Sequence, residues 1–252
     1  MYETITISNS EEIATLTLNR PDRANTISPK LTEEVRSAFG AIQADANIRA
    51  VIVTGAGRHF CGGADLRELG GGAALDLDFF TVFEDHPKPV IAAINGAAMG
   101  GGCEIALACD IRVMAEGAHI GTPEIKFGAL PAGGGTQRLA RFVGMGRAKE
   151  LIMTGEPITA FEALRIGLVN SVVSAELLME EARRYAAIFV QRAPFALTTA
   201  KRLVLKSYDV DLATGLELER RFIASMASPA ERKAEQERAA AGQDTYGKIF
   251  RR

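Results

Sequence analysis

The sequence lacks an excess of charge of either sign: 29 Lys and Arg stand against 31 Asp and Glu, a net charge of −2 over 252 residues. With a pI near 6.0, no basic field draws the chain toward phosphate backbones, which argues against nucleic-acid binding. Cysteine is scarce: Cys61, Cys103 and Cys109 are an odd count in a long chain, so no disulfide framework is expected and a reducing compartment is the simpler inference. The segment Met1 to Arg20 includes Glu3, Glu11 and Glu12 and lacks the basic start and apolar block of a signal peptide. The uncharged stretch from Val90 to Cys103 is broken by Asn95, Gly96 and further glycines, too short and too interrupted to span a bilayer. A cytoplasmic protein is therefore expected. His59, His86 and His119 are scattered, and no H-E-x-x-H, C-x-x-C or G-x-S-x-G occurs, so no metal site or activated nucleophile is expected. No fixed period of similar residues marks a solenoid.

What is present is material for a core, since 47% apolar and 24% charged side chains describe a chain that folds rather than a disordered tail. Thr4 to Ile7 and Ile13 to Leu18 alternate apolar with small polar residues around Asn9 and Ser10, the pattern of a hairpin. Ser28 and Pro29 read as N-cap and first residue of a helix that buries Leu31, Val35, Phe39 and Ile42. Ala50 to Thr54, Val90 to Ile94 and Ile111 to Ala115 are short β-branched or apolar runs bounded by glycines or polar residues, suited to strands buried on both faces. A helix-forming stretch, Glu104 to Cys109, separates the last two. After Val169 to Val173 the strand pattern stops, and Ser174 to Gln191, Pro194 to Ser207 and Val210 to Met226 are helical in pattern. The expected class is α/β with a helical C-terminal third, whose helices need a partner surface for their apolar faces.

Two glycine clusters carry the local chemistry. Gly62 and Gly63 precede Ala64 and Asp65, and Gly100, Gly101 and Gly102 precede Cys103 and Glu104, each cluster between a strand and a helix. Glycine at such a junction admits close backbone approach, and the first helical N–H groups are free to receive an anion or a polarised oxygen. Neither G-x-G-x-x-G nor the P-loop pattern is present, which lowers a nucleotide reading; tight turns in a packed sheet remain the alternative for either cluster alone. Glu104 falls one turn into its helix, where the dipole favours the carboxylate, and Glu124 follows Pro123 in an otherwise apolar stretch that favours the protonated acid. A pair of carboxylates so separated can act as base and acid, against the plainer readings of a helix-terminal acid and a surface charge. Cys61 and Cys103 read as packing residues. The run from Gly70 to Ala74 is either a flexible lid or a loop with no role.

Asn19-Arg20-Pro21 with Asn25, Phe60 to Leu66 (FCGGADL), Asn95 to Glu104 (NGAAMGGGCE) and Pro131 to Leu139 (PAGGGTQRL) together resemble the enoyl-CoA hydratase/isomerase, or crotonase, family, in its order and spacing from about Ile13 to Val173. The resemblance implies a spiral of ββα units, with a core carrying an acyl-CoA site over residues 1–190 and a C-terminal helical trimerisation region over residues 191–252. It also implies assembly as a trimer or hexamer and no cofactor beyond the coenzyme A of the substrate. By motif position, the backbone N–H groups of Ala64 and Gly101 would hold the thioester oxygen. Glu104 and Glu124 match the two glutamates of the members that hydrate the double bond, where isomerases commonly keep only the second. Arg23, Ala24, Gly63, Asp65, Leu66 and Gly100 would contact the CoA thioester. The sequence departs from the family at Gly62, where Ala or Ser is usual, and at Ala132, which precedes Gly133 in place of the common Pro-Gly-Ala-Gly-Gly. Beyond Phe222 the usual Glu-Gly-Met and Ala-Phe signature is absent, with Arg232, Lys233 and Gln236 in that region.

The expected activity is hydration of a 2-enoyl-CoA to a 3-hydroxyacyl-CoA. The alternatives are another crotonase reaction such as isomerisation, and a non-catalytic or RNA-binding homologue, which the pI opposes. Acyl-chain specificity would be set by walls from Leu69 to Phe83 and by a neighbouring subunit.

Overall fold

A computed structural model describes residues 2–70 and 76–225. Residues 71–74 of the glycine-alanine run, part of the 69–83 wall, and the tail from Ser228 to Arg252 lie outside the described residues. The chain forms two compact units, residues 1–186 and 187–252.

The first unit opens with the expected hairpin, β1 (Ile5–Ser10) and β2 (Ile13–Leu18), paired in register from Ile5↔Leu18 to Ser10↔Ile13. The turn is not at Asn9 and Ser10, which are the last residues of β1, but at Glu11 and Glu12, both left-handed with φ of 53° and 64°. Register follows burial: pairing that points Ile5 and Ile13 inward fixes which residues are left to turn, whatever their preference. Two successive positive φ values suit Asn-Gly and strain Glu. Replacing Glu11-Glu12 by Asn-Gly is expected to stabilise the fold by roughly 1–2 kcal/mol, read as an upward shift of the urea midpoint at unchanged slope.

Helix α1 (Pro29–Ala44) begins as expected, with Ser28 Oγ accepting from Leu31 N at 3.1 Å. From there the chain repeats one unit: a strand of a large sheet, a strand of a small sheet, then a helical segment. The first pass is β3 (Ala50–Gly55), β4 (His59–Cys61), α2 (Leu66–Gly70) and α3 (Thr81–Glu84). The second is β5 (Val90–Ile94), β6 (Ala97–Met99) and α4 (Gly101–Ala108). The third is β7 (Ile111–Ala115), β8 (His119–Gly121), a 3-10 turn at Pro123–Phe127 and α5 (Gly135–Thr154), which is kinked at Gly144. β9 (Ile158–Thr159), α6 (Ala160–Arg165) and β10 (Ser171–Val173) close the sheets, and α7 (Leu178–Val190) follows.

The large sheet has the order β1-β2-β3-β5-β7-β10 and is parallel apart from the hairpin; the small one has the order β4-β6-β8-β9. β3 and β5 are buried along their whole length, as their apolar runs predicted. Advancing one strand in each sheet per pass is the spiral of ββα units expected of the crotonase-like fold. Its consequence is that β4, β6 and β8 lie side by side and parallel, so the segments following them emerge at the same edge of the small sheet.

Four phenylalanines form one cluster. Phe83 stacks edge-on against Phe39 of α1 at 5.0 Å and against Phe79 at 5.4 Å, and Phe79 meets Phe80 at 5.4 Å. These contacts, each worth about 0.5–1.5 kcal/mol beyond simple burial, anchor the 77–84 segment to the core. Cys61, Cys103 and Cys109 are buried thiols, and burial pushes Cys61 up to about 12, consistent with packing rather than reactivity.

In the second unit, α8 (Pro194–Lys206) and α9 (Leu212–Ser225) are helices near the expected bounds and pack on each other. No helix among the described residues is long and apolar enough to cross a membrane.

Candidate active site

Three consecutive strand ends of the small sheet build the site. After β4 come Gly63 and Ala64, after β6 come Gly100 and Gly101, and after β8 come Thr122 and Glu124. Ends of adjacent parallel strands are where α/β folds gather ligand-binding loops. Gly100 N donates to Gly121 O at 2.9 Å, which carries the β6–β8 pairing one step into the loops.

Ala64 forms an isolated parallel bridge with Ile27: Ile27 N donates to Gly63 O at 2.8 Å and Asp65 N donates to Ile27 O at 2.9 Å. The amide of Ala64 itself therefore points away from Ile27. A Cβ on Gly101 would lie 3.7 Å from Ala64 N, and a Cβ on Gly63 would lie 3.4 Å from Gly101 N. The two amides that the resemblance singles out are thus neighbours. Neither donates to a protein acceptor among the described residues. Gly101 is the first residue of α4, three positions before the sequence pattern suggests, so its N–H is one of the donors a helix start leaves over.

Glu104 is 3% exposed, on α4. Its own helix dipole favours the charged form, yet burial prevails and pushes its pKa up, with the Glu124 charge adding to the rise. What opposes the rise comes from elsewhere: Gly135 N, at the start of α5, donates to Glu104 Oε1 at 2.8 Å, and Gly133 N and Arg138 act in the same direction. Glu124 sits in the 3-10 turn after β8 rather than on a free surface. Burial raises its pKa too, and its Oε2 is buried and accepts no hydrogen bond among the described residues. A Cβ on Gly100, which has φ of 54°, would come within 3.0 Å of Glu124 Oε1, so a side chain there would displace the carboxyl. The two carboxyls differ in their surroundings: Glu104 is held by backbone N–H groups that favour charge, and Glu124 has an oxygen with no such donor.

The residues expected at the CoA end fall along one neighbouring turn. Arg23 is exposed, Ala24 is left-handed with φ of 49°, and Ala24 O accepts from Gly62 N at 2.8 Å, tying this turn to the Gly62–Leu66 segment. Gly63, with φ of 97°, has its Cβ direction closed by Met99 O at 2.9 Å. Leu66 is well exposed. Asp65 is not exposed: Oδ2 accepts from Arg20 and Thr26 at 3.1 Å each, and Oδ1 from Arg67 N at 3.3 Å and Glu68 N at 3.4 Å. Burial alone would raise its pKa, but these donors and the Arg20 charge hold it below the usual carboxylate range. Asp65 therefore shapes the turn that carries the Ala64 amide.

Asn25 supports the same turn from beneath. It is buried and left-handed; Nδ2 donates to Ala56 O at 2.9 Å and His59 O at 2.8 Å, and Oδ1 accepts from Arg20 N at 2.9 Å. Phe80, within the stretch expected to wall the acyl site, packs against Gly101 and Gly133. Among the described residues, no group of His, Cys, Asp and Glu could hold a metal ion.

Comparison with known proteins agrees with this architecture. The family model for enoyl-CoA hydratase/isomerase matches residues 8–245. The short-chain-enoyl-CoA hydratase of Clostridium acetobutylicum is 41% identical over 224 residues, covering 85% of this chain and 86% of that protein. The crotonyl-CoA hydratase of Syntrophomonas wolfei is 38% identical over 230 residues, covering 86% of this chain and 87% of that protein. The crystal structure of an enoyl-CoA hydratase from Bacillus anthracis has a TM-score of 0.83 to this chain at 41% identity, covering 88% of this chain and 90% of that one. With the family model running across most of the sequence and the spiral of ββα units shared with a solved relative, the chain belongs to the enoyl-CoA hydratase/isomerase family.

Proposed function

We propose that this protein adds water across the double bond of a 2-enoyl-CoA thioester to give a 3-hydroxyacyl-CoA. The observation that carries the reading is the meeting, at one edge of the small sheet, of two desolvated carboxyls of unlike surroundings with two uncommitted backbone amides. Relatives named as hydratases support it.

In the proposed reaction Glu104 takes a proton from water as the water oxygen bonds to C3, and Glu124 gives its proton to C2. The charge that builds on the thioester oxygen is received by the N–H groups of Ala64 and Gly101. Enoyl thioester and one water balance the product, and proton exchange with solvent resets the two carboxyls. Coenzyme A enters as part of the substrate, with its contacts assigned to Arg23, Ala24, Gly63, Leu66 and Gly100, and Asp65 holding the turn behind them. The test is loss of the conjugated-thioester absorbance of crotonyl-CoA and of a longer 2-enoyl-CoA with purified protein. Turnover of neither, with isomerisation of a 3-enoyl-CoA instead, would replace hydration by the isomerase reading.

We further propose assembly as a trimer or a dimer of trimers through the region from residue 191 onward. Its support is that α8 has no buried residue within the chain and that Val204 and Leu212 are 69% and 78% exposed. Sedimentation should give three or six chains; a monomer at micromolar concentration overturns the assembly.

A further inference from the structure

We propose that Arg138 and Glu84 are positioning residues for Glu104: Glu84 grips the Arg138 guanidinium, Arg138 fixes the Gly133 carbonyl, and the turn so held aims its amides at the Glu104 carboxylate. The inference rests on the reading of Glu104 as the general base.

Arg138 Nε donates to Glu84 Oε1 at 2.8 Å and Nη2 to Glu84 Oε2 at 2.7 Å, a fork that leaves Nη1 to donate to Gly133 O at 2.6 Å. Two residues after Gly133, the Gly135 amide donates to Glu104. The Gly133-Gly134-Gly135 run is shaped by these contacts. A Cβ on Gly133 would strike the Phe80 ring, one on Gly134 would run into Arg138 Nη1, and one on Gly135 would lie 3.1 Å from Glu104 Oε1. Gly134 is also left-handed, with φ of 103°, so glycine serves there for backbone and for space together.

The placement of Arg138 runs against the simplest electrostatics. Its guanidinium folds back one turn to the N-terminus of its own helix, the end a cation disfavours. Glu84 supplies the compensating charge from α3, and the pair is largely shielded, at 13% and 26% side-chain exposure. A planar guanidinium can hold a carboxylate with two donors and a carbonyl with a third in one rigid plane, which an ammonium does not do. The charged and titratable groups acting on Glu104 include Glu124 from the turn after β8 and Arg138 from α5 with Glu84 and Asp85 behind it; Cys103 adjoins on its own helix, and Arg112 of β7 donates to Ala106 O and Cys109 O at the far end of α4. Of these, Arg138 is the cation that favours the ionised base.

The test uses Arg138→Met, Arg138→Lys and Glu84→Gln in the full-length protein, with two readouts. The first is crotonyl-CoA hydration across pH. Arg138→Met is expected to lower kcat roughly tenfold to a hundredfold, the scale of a misplaced catalytic group, with KM little changed and the acid limb moved to higher pH. Arg138→Lys should bring the acid limb back toward wild type, because charge returns, while kcat stays low, because the fork does not; Glu84→Gln should lower kcat less than Arg138→Met. The second readout is an infrared carboxyl titration taken as the difference from Glu104→Gln, which follows Glu104 whether or not it is the base. If Glu104→Gln proves fully active, the reading of the base fails, and the titration still decides the clamp. An upward move in Arg138→Met, partly reversed in Arg138→Lys, supports it. A titration superimposable on wild type overturns it, as does wild-type kcat with an unmoved acid limb in Arg138→Met.

Discussion

Glu104→Gln and Glu124→Gln should each slow hydration of crotonyl-CoA by about 10²- to 10⁴-fold, the usual worth of a positioned acid or base, with thioester binding largely kept. Gln preserves the shape of each side chain and, at Glu104, an oxygen that can still accept from Gly135 N, so the loss reports proton transfer. The double variant should be little worse than the poorer single, since both groups act on one addition. In wild type, rate should fall on the acid side as Glu104 is protonated and on the alkaline side as Glu124 loses its proton. Both limbs are expected above the ordinary carboxylate value, because burial raises both groups. An isomerase would survive Glu104→Gln and fail with Glu124→Gln. If both single variants hydrate at the wild-type rate, the carboxylate mechanism is wrong.

The same shifts predict that the Gln variants do not fail by unfolding. A carboxyl whose folded pKa is raised binds more protons in the native state than in the unfolded one, so stability falls as pH rises from the ordinary carboxylate range through the folded value. At neutral pH that cost is present in wild type and absent from Gln. Equal or higher melting temperatures are therefore expected for both variants at neutral pH, with the difference vanishing in acid.

How far the sequence reveals this arrangement depends on the distance over which each contact acts. β3 and β5 are readable because a strand buried on both faces needs an unbroken apolar run. β4, β6, β8 and β9 are two or three residues long, and His59-Phe60-Cys61 or Ala97-Ala98-Met99 has no periodicity to detect; they are strands because the spiral brings them into register. Glu104 stands out beside its glycines, but its own helix shows only the dipole and not how deeply the carboxyl is buried. Burial decides the direction of its pKa, and the amide that steadies its charge is 31 residues further on. Arg138 is visible within PAGGGTQRL, whereas its partner Glu84 lies 54 residues away in a segment with no distinguishing pattern.

The oxyanion donors are backbone groups, and Gly101 allows one of them to be removed with a matched control. Gly101 is the first residue of α4, the helical position that proline tolerates best because its N–H has no partner within the helix. Gly100 before it, with φ of 54° and ψ of −121°, is already outside the right-handed helical region that proline disfavours in its predecessor. Either Gly101→Ala or Gly101→Pro adds a Cβ that would lie 2.7 Å from Ile27 Cδ1, the movable end of a side chain, so both variants share that packing cost. They differ at the nitrogen, where the amide hydrogen of alanine gives way to the proline ring Cδ, so the donor is lost and its direction is closed together. Gly101→Pro should therefore turn over crotonyl-CoA roughly a hundredfold or more slowly than Gly101→Ala, the cost of losing one oxyanion donor, while the two melt at similar temperatures. Equal turnover in two equally folded variants would remove the Gly101 amide from the reaction and leave Ala64 as the sole donor assigned to the thioester oxygen.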